Sequence, residues 1–411
     1  MPVDRRDELA EITPVVHGAV GQPELAARGL SPADVVDFSV STNPLGPPPA
    51  VLEAVRAISS EGVLRYPDPS ATPLRRALAA GLGLDPGQVI AGNGSSELIW
   101  SLALAYARPA PATVLICTPT FGEYARASRL LGAGVREVHA TPETAFRLDP
   151  ADLSTRIRRA RPRLVWLCNP NNPSGGYVRR RQVELILEGC AAAGALLVVD
   201  EAYLPFVDDP DSLLDLLPSG HLFLLRSMTK DYALAGLRLG YGLGTAEMVA
   251  ALQLTLAPWS VNAAAQAAGL AALTDLDHLE RSRDEIRASR AMLLSALRDL
   301  HLPFTPPAAN FILVDVGDAK LVRARLLAHG CVVRDCTSFG LPRHIRIGIR
   351  TRPECARLIR ALPAVLVRGG GAPPLQEREG LRGGSGAQPP ERGDPPLPRR
   401  VRGVRGNIED E

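Results

Sequence analysis

Lysine is rare in this sequence, and one lysine lies in a stretch that could do chemistry. The 411 residues include 46 Lys and Arg, of which only Lys230 and Lys320 are lysines. Arginine stays protonated, whereas a lysine ammonium can lose its proton and become a nucleophile that forms a Schiff base with an aldehyde or ketone. Ser227 and Thr229 before Lys230, and Arg238 after it, favour a site here over a surface position. We interpret Lys320, in a polar helical stretch, as a surface residue.

Other polar groups could bind the same ligand. Residues 92–97 form a Gly/Ser loop that opens a helix, and its backbone N–H groups make either an anion site or an ordinary helix cap. Asp200 ends an apolar strand, where a carboxylate needs a cationic partner or serves as a cap. Ser227, Thr229 and Arg238 form a second set of anion-binding groups. Together these groups suit pyridoxal phosphate, which has a phosphate, an aldehyde and a basic ring nitrogen.

Alternating strand and helix patterns position these residues. Apolar strands are predicted at 88–91, 114–117, 164–168, 196–200 and 222–225, with amphipathic helices between them. Strands that are apolar throughout indicate an α/β fold, with a mostly parallel sheet covered by helices on both faces. Ligands bind such sheets at the carboxyl ends of the strands, which is where the Gly/Ser loop, the Asn-Pro turn at 169–175 and Asp200 lie.

The pattern divides the chain into four regions. Residues 1–50 form an irregular arm, and residues 51–245 form the large domain that contains the sheet. Residues 246–366 hold helices, including a long charged helix over 279–300, and then short strands, which indicates a smaller α+β domain. Residues 367–411 are rich in Gly, Pro and Arg without apolar periodicity, so we expect a disordered tail.

Composition excludes several classes of protein. A net charge of +2 predicts no strong attraction to nucleic acid or membrane. The first sixteen residues contain no signal peptide, and no apolar run is long enough to span a bilayer, so we expect a cytoplasmic protein. The six cysteines form no CxxC pair. We expect them to be reduced, buried thiols, and we assign no metal site.

From about residue 17 to about residue 362, the sequence resembles the fold type I pyridoxal-phosphate enzymes, in the class I and II aminotransferase family. The resemblance rests on four segments: Asn-Pro-Asn-Asn-Pro-Ser-Gly at 169–175, Asp-Glu-Ala-Tyr at 200–203, Ser-x-Thr-Lys at 227–230 and Gly-Leu-Arg-Leu-Gly-Tyr at 236–241. They occur in the family's order and spacing. As a set they are highly specific.

This resemblance implies pyridoxal 5'-phosphate as cofactor and a role for each site residue. Lys230 would form the Schiff base and later move the Cα proton, Asp200 would pair with the ring nitrogen, and Phe121 would stack on the ring. Asn172 and Tyr203 would bond the ring's phenolic oxygen. The phosphate would be held by loop residues, namely Gly94, Ser95, Ser227, Thr229 and Arg238.

The resemblance also implies a homodimer and a substrate pocket. Tyr66, in Arg-Tyr-Pro, is similar to the residue that reaches the phosphate of the neighbouring subunit. Arg346 matches the arginine that grips the substrate carboxylate. Arg334 matches one that reaches the substrate in the histidinol-phosphate branch. An exposed strand arginine is the alternative for each.

Two branches of the family are close, and both act on a small phosphorylated amino acid or amine. The first choice is the L-threonine O-3-phosphate decarboxylase of cobalamin biosynthesis, because the arm around His17 and Asn43 and the stretches 119–124 and 258–262 resemble it. His17 and Asn43 would then contact substrate, although Ala19 stands where that branch has Gly and His17 is as readily structural. The alternative is histidinol-phosphate aminotransferase. The substrate bond that is held perpendicular to the cofactor ring is the one that breaks: the Cα–H bond in transamination, the Cα–carboxylate bond in decarboxylation. No sequence motif encodes that orientation.

A different class is a catalytically inactive relative that acts as a regulator or binding protein. Such regulators usually carry a separate DNA-binding domain, and the sequence shows no pattern for one. Lys230, Asp200 and Arg238 are all present, which favours an enzyme.

Overall fold

The computed structural model describes residues 9, 12, 14–107 and 112–366. The tail predicted at 367–411 lies outside these residues. The described strands are β1 (Val36–Asp37), β2 (Val89–Asn93), β3 (Thr113–Thr118), β4 (Gly134–His139), β5 (Leu164–Cys168), β6 (Leu196–Asp200), β7 (Leu222–Arg226), β8 (Leu239–Leu243), β9 (Phe311–Asp315), β10 (Cys331–Val332), β11 (Arg334–Asp335) and β12 (His344–Gly348).

Most helices lie where the sequence pattern predicts them, with ends that differ by a few residues. The pattern did not predict the helices at Gln22–Ala26, Ser60–Leu64, Pro150–Ala160 and Met228–Asp231. In chain order the helices are α1 (Gln22–Ala26), α2 (Pro49–Arg56), α3 (Ser60–Leu64), α4 (Thr72–Leu82), α5 (Gly94–Tyr106), α6 (Glu123–Leu130), α7 (Pro150–Ala160), α8 (Arg180–Ala193), α9 (Met228–Asp231), α10 (Ala246–Gln253), α11 (Ala263–Ala272), α12 (His278–Asp299), α13 (Ala319–Ala328) and α14 (Arg352–Leu366).

A seven-stranded sheet organises the large part of the molecule, in the order β2-β8-β7-β6-β5-β3-β4. Its strands are parallel except for β8, which runs antiparallel to both of its neighbours. Leu197 and Val199 of β6 pack into one apolar cluster, while Val198 packs into another. Because successive side chains of a strand point to opposite faces, both faces of the sheet are covered. This confirms the predicted α/β class.

Two strands of this sheet escaped the sequence pattern. β4 is an edge strand without any buried residue, so it shows no apolar run. β8 contains Gly240 and Gly242, and glycine weakens a strand pattern. The structure explains Gly242, because a Cβ there would lie 2.5 Å from the ring of Phe223 on the neighbouring strand.

A three-stranded antiparallel sheet, in the order β11-β12-β9, carries the remaining site residues. An apolar cluster beneath it gathers side chains of α12, α13 and α14, among them Ile286, Leu326 and Leu358. One of the short strands that the sequence pattern predicts in the smaller domain covers residues 331–335. The structure has two strands there, because β10 pairs with β1 of the arm and β11 pairs with β12. The domain boundaries at residues 50, 245 and 366 stay a prediction.

All six cysteines are buried and free. Burial raises the pKa of the Cys117 and Cys168 thiols to about 12, which leaves them protonated and unreactive. Within the described part of the chain, none of the helices combines the length and the apolar character that a bilayer-spanning segment requires.

Candidate active site

Most of the predicted site residues converge on one cleft of about 820 Å³. Lys230, Asn172 and Tyr203 line this cleft, and a smaller cavity that shares these three residues also contacts Asp200 and Ser227. The contributing segments follow β3, β5, β6 and β7, whose carboxyl ends meet at one edge of the sheet. This is the position that the doubly wound pattern predicts for a ligand.

Lys230 lies in the short helix α9, directly after β7, with its side chain half-buried. Its Nζ lies 5.8 Å from the centroid of the Tyr203 ring. Burial, followed by the charges of Arg346 and Arg238, lowers the pKa of Lys230 to about 8, and the nearby carboxylate of Asp200 opposes the shift. A neutral amine is therefore available near physiological pH, as a nucleophile or a proton acceptor requires.

Asp200 ends β6 and is buried. Its Oδ2 accepts a hydrogen bond of 2.6 Å from the Tyr124 hydroxyl, and its Oδ1 accepts one of 3.0 Å from the backbone N–H of Ala202. Burial raises the pKa of Asp200, and the hydrogen bond from Tyr124 favours its charged form. The carboxylate is thus held in a fixed orientation at the floor of the cleft, where a cationic ring nitrogen would pair with it.

Sequence reasoning did not identify Tyr124 as a site residue. It follows the predicted site residue Phe121 by three positions, and its ring stacks on Trp166 at 4.9 Å. The apolar pattern of α6 concealed it, because a buried tyrosine on a helix usually belongs to the core. The signal that could have found it is the buried Asp200, which needs a hydrogen-bond donor.

Gly94 and Arg238 approach each other closely at the start of α5. A Cβ on Gly94, whose φ is +72°, would lie 2.8 Å from Arg238 Nη2, and a Cβ on Gly240 would lie 2.3 Å from the Ser95 nitrogen. Glycine at both positions lets the guanidinium and the N-terminus of a 13-residue helix face the same space. Ser227 and Thr229 line it as well. This donor set fits a phosphate.

Tyr203 and Asn172 lie between Lys230 and the smaller sheet. The Tyr203 ring packs edge-on against Phe311 at 4.9 Å, and burial raises its pKa to about 12. The Oδ1 atom of Asn172 accepts a hydrogen bond from Arg346 Nη1. Phe121 is half-buried, with its ring 5.7 Å from that of Tyr124.

Arg334 and Arg346 are paired across β11 and β12, and both are buried in the cleft. The Nη2 atom of Arg346 donates to the Ser39 carbonyl at 2.7 Å, whereas its Nε is buried and has no hydrogen-bond partner among the residues that the structure describes. An unpaired buried guanidinium N–H is costly unless a ligand accepts it. The structure thus places these two arginines where an anionic group of a substrate would bind, rather than on an exposed strand.

The arm crosses the cleft, and its backbone accepts hydrogen bonds from one arginine of this pair. Arg334 donates to the carbonyls of Val16 (2.7 Å) and His17 (3.2 Å) and to the Ser338 hydroxyl (2.6 Å). The His17 Nε2 atom lies 3.2 Å from Oε1 of Glu123. A carboxylate beside this nitrogen is a poor environment for a substrate phosphate, so the geometry gives no support to a substrate contact of His17 through a phosphate.

Asn43 was predicted to contact substrate, and in the structure its side chain has partners within the protein. Its buried side chain donates to the carbonyl of Asp231 and to Ser282 Oγ, both at 2.7 Å, and accepts from the Leu45 N–H. Its backbone N–H donates to the carbonyl of Lys230 at 2.8 Å. Asn43 therefore holds the backbone that carries Lys230 and is not among the residues that line the described cleft.

Tyr66 lies in a groove separate from the Lys230 cleft. Its ring is 77% exposed and stacks on Trp259 at 4.2 Å. Val63 and Leu64 beside it are also strongly exposed. The structure does not bring Tyr66 to the cleft of its own chain, and its predicted reach into a neighbouring subunit stays a prediction.

Comparisons with known proteins agree with this geometry. The family model for aminotransferase class I and II matches residues 33–362. A histidinol-phosphate aminotransferase of Symbiobacterium thermophilum is 38% identical over 353 residues, which cover 85% of this chain and 96% of the relative. That of Moorella thermoacetica is 36% identical over 367 residues, covering 88% and 92%.

One similar solved structure contains a bound cofactor. The histidinol-phosphate aminotransferase of Sinorhizobium meliloti, in complex with pyridoxal-5'-phosphate, superposes with a TM-score of 0.78 at 27% identity, covering 89% of this chain and 98% of that one. The Symbiobacterium, Moorella and Sinorhizobium proteins are all aminotransferases by name. The comparisons thus do not support threonine-phosphate decarboxylation or a place in cobalamin synthesis, and they favour the alternative.

Proposed function

The chain belongs to the class I and II aminotransferase family and is a pyridoxal-phosphate-dependent enzyme, and from that premise we propose that it transfers the amino group of histidinol phosphate to an oxoacid such as 2-oxoglutarate. The observation that carries this proposal is the buried pair of Arg334 and Arg346 in the cleft that contains Lys230. Planar guanidinium groups bind phosphate oxygens with two hydrogen bonds, and the unpartnered Nε of Arg346 supplies a donor for one. The names of the relatives supply the imidazole-bearing phosphate as the substrate.

The residues of the cleft fit the cofactor. Asp200 would hold the ring nitrogen, Phe121 would cover the ring, and Tyr203 and Asn172 would lie beside its phenolic oxygen. The glycine-lined space at the start of α5 would hold the phosphate through the same loop residues as predicted from the sequence, namely Gly94, Ser95, Ser227, Thr229 and Arg238. When bound, the cofactor supplies an aldehyde for the amine and an electron sink for the carbon that loses its proton.

The chain's own groups then perform the proton transfer. Because the pKa of Lys230 is lowered to about 8, its amine can accept the proton from the substrate carbon and return it. The hydrogen bond from Tyr124 favours the charged form of Asp200 against the effect of burial, and that charge would stabilise a protonated ring nitrogen. Arg334 and Arg346 orient the substrate so that the C–H bond, and not another bond at that carbon, faces Lys230.

A homodimer would complete this site. The groove lined by Val63, Leu64, Tyr66 and Trp259 presents large exposed apolar side chains, and a second copy of the chain would bury them. Tyr66 of each copy would then reach the cofactor phosphate of the other. Light scattering should give twice the chain mass. A monomer that retains full activity would contradict this part of the proposal.

A paired turnover assay on one purified batch tests the function. One tube receives histidinol phosphate with 2-oxoglutarate, and the other receives L-threonine O-3-phosphate alone. We expect glutamate in the first tube and no CO2 in the second. Release of CO2 with aminopropanol phosphate in the second tube, without glutamate in the first, would overturn the proposal.

A further inference from the structure

The described part of the main cleft contains one carboxylate, that of Glu123, besides Asp200 in the smaller cavity at its floor, and is otherwise rich in cations. Glu123 begins α6, and its side chain is 6% exposed. The cations of the same cleft are Lys230, Arg126, Arg129, Arg238, Arg334 and Arg346. Arg126 pairs with Glu123 at 3.3 Å. A phosphate or carboxylate ligand would gain nothing from this carboxylate, whereas a part of the ligand that donates a hydrogen bond or carries positive charge would be attracted to it.

Besides Arg126 of the same helix, an imidazole from the arm contacts Glu123 in the structure. The His17 Nε2 atom lies 3.2 Å from Glu123 Oε1, and its ring centroid lies 5.8 Å from that of Phe121. Phe121 also borders the smaller cavity that contains Lys230 and Asp200. An imidazole held at this position is therefore close to the place where the chemistry occurs.

The arm also brings hydrogen-bond acceptors to the arginine pair. Arg334 donates to the carbonyl oxygens of Val16 and His17. One short segment thus presents an imidazole to a carboxylate and oxygen acceptors to a guanidinium. Histidinol phosphate has the same two features, an imidazole ring and a group of phosphate oxygens.

We infer that Glu123 is the subsite for the imidazole ring of the substrate, and that His17 occupies this subsite as an internal substitute until substrate displaces it. This inference rests on the proposed function and names the residue that selects the side chain of the substrate. A neutral imidazole can donate its N–H to the Glu123 carboxylate, and a protonated imidazole binds the carboxylate more strongly. Arg126, whose Nη1 lies 3.3 Å from Glu123 Oε1, keeps a cation next to the subsite.

A purely structural contact would have a different signature. If Glu123 and His17 only fastened the arm, removing either partner would loosen the arm and change activity in the same direction. If Glu123 binds substrate, removing the carboxylate weakens substrate binding, whereas removing the competing imidazole strengthens it. Opposite signs therefore separate the two explanations.

Steady-state kinetics of three variants of the holoenzyme test the sign. Glu123→Gln should raise KM for histidinol phosphate roughly tenfold or more, since a hydrogen bond to a charged group is lost, and should leave KM for 2-oxoglutarate within about twofold. His17→Ala should lower KM for histidinol phosphate by about two- to tenfold, because the internal competitor is gone. Glu188→Gln, at an exposed glutamate of α8 outside the cleft, is the control and should match the unaltered enzyme.

Imidazole itself provides a readout that needs no turnover. Saturation-transfer NMR should detect imidazole binding to the His17→Ala holoenzyme and a large loss of that signal in His17→Ala combined with Glu123→Gln. Equal signals in the two proteins, or KM changes of the same sign, would overturn the subsite. Absence of histidinol-phosphate turnover in the unaltered enzyme would instead overturn the proposed function, while the imidazole signals would still decide the role of Glu123.

Discussion

The two ends of the cleft are built in different ways. The cofactor end, defined by Asp200, Ser227 and Lys230, comes from the carboxyl ends of neighbouring strands in one sheet. The arm end, defined by His17, Glu123 and Arg334, comes from the arm, the start of α6 and the smaller sheet. At the cofactor end, the β-ladder fixes the positions, as when Cys168 pairs with Asp200. At the arm end, side-chain contacts join segments more than 300 residues apart.

This difference separates the reaction from the choice of substrate. A hydrogen-bonded sheet buried on both faces changes little when one surface contact changes, so the cofactor end suits chemistry that must stay constant. Contacts of an arm are weaker and can be replaced one at a time. We therefore expect substitutions at the cofactor end to abolish activity, and those at the arm end to change KM and specificity.

The largest effect should come from Lys230→Ala at the cofactor end. Loss of the amine removes both the nucleophile and the proton acceptor, so kcat should fall by at least about a thousandfold. Lys320→Ala removes the other lysine of the chain, which is exposed, and should leave kcat unchanged. Borohydride reduction of the holoenzyme followed by peptide mapping should label Lys230, and label on another residue would overturn the assignment.

The pKa of the Lys230 amine tests whether the cofactor end of the cleft is influenced by the arginines of the smaller sheet. In the apoenzyme, labelling of Lys230 by an amine reagent should rise with pH and level off above a midpoint near 8, because burial, Arg346 and Arg238 disfavour the protonated form. Below pH 8 the protonated, unreactive form of the amine predominates. Arg346→Gln should move the midpoint upward, whereas Arg343→Gln, at an exposed position, should not. A midpoint near the ordinary 10.5 would show that the site does not tune this amine.

The same shift has a consequence for stability with a definite sign. The folded-state pKa of Lys230, about 8, lies below the ordinary value of 10.5, so the unfolded chain binds more protons between these two values. The contribution of this group to the free energy of unfolding therefore grows as pH rises from about 8 to about 10.5 and is lost as pH falls through 8. Lys230→Met should remove this contribution, which pH-dependent denaturation curves would detect.

The sequence predicts the cofactor end well and the arm end poorly, for physical reasons. Apolar strands such as β5 and β6 have a strong pattern, and polar residues at their carboxyl ends must share one edge of the sheet. Asparagine is a residue type that commonly contacts ligands, and the sequence predicts a substrate contact for Asn43. In the structure, Asn43 instead connects the Lys230 backbone to α12, and no local sequence pattern reveals such a contact. The pairing of His17 with Glu123 depends on where the arm crosses the cleft. Spacing along the chain contains no information on that crossing.

Tyr124→Phe should have an intermediate effect at the cofactor end. The ring and its stacking on Trp166 are kept, while the hydrogen bond of 2.6 Å to Asp200 is lost. Loss of a hydrogen bond to a buried charged group should lower kcat/KM by roughly ten- to a hundredfold. Tyr106→Phe, a half-buried tyrosine at the end of α5, is a matched control. An unchanged kcat/KM in Tyr124→Phe would mean that Asp200 needs no such support.

The smallest effect is expected from Asn43, where the arm contacts the backbone of Lys230 at the cofactor end. Asn43→Ala leaves the Asp231 carbonyl and the Leu45 N–H without their side-chain partner, which should lower the free energy of unfolding by roughly 1–3 kcal/mol. Thr245→Ala removes the cap of α10 and should cost about 1 kcal/mol without touching Lys230. If Asn43 holds the backbone of Lys230, only Asn43→Ala should also shift the labelling midpoint of that amine. A midpoint equal in both variants would mean that the contact stabilises the fold without positioning the lysine.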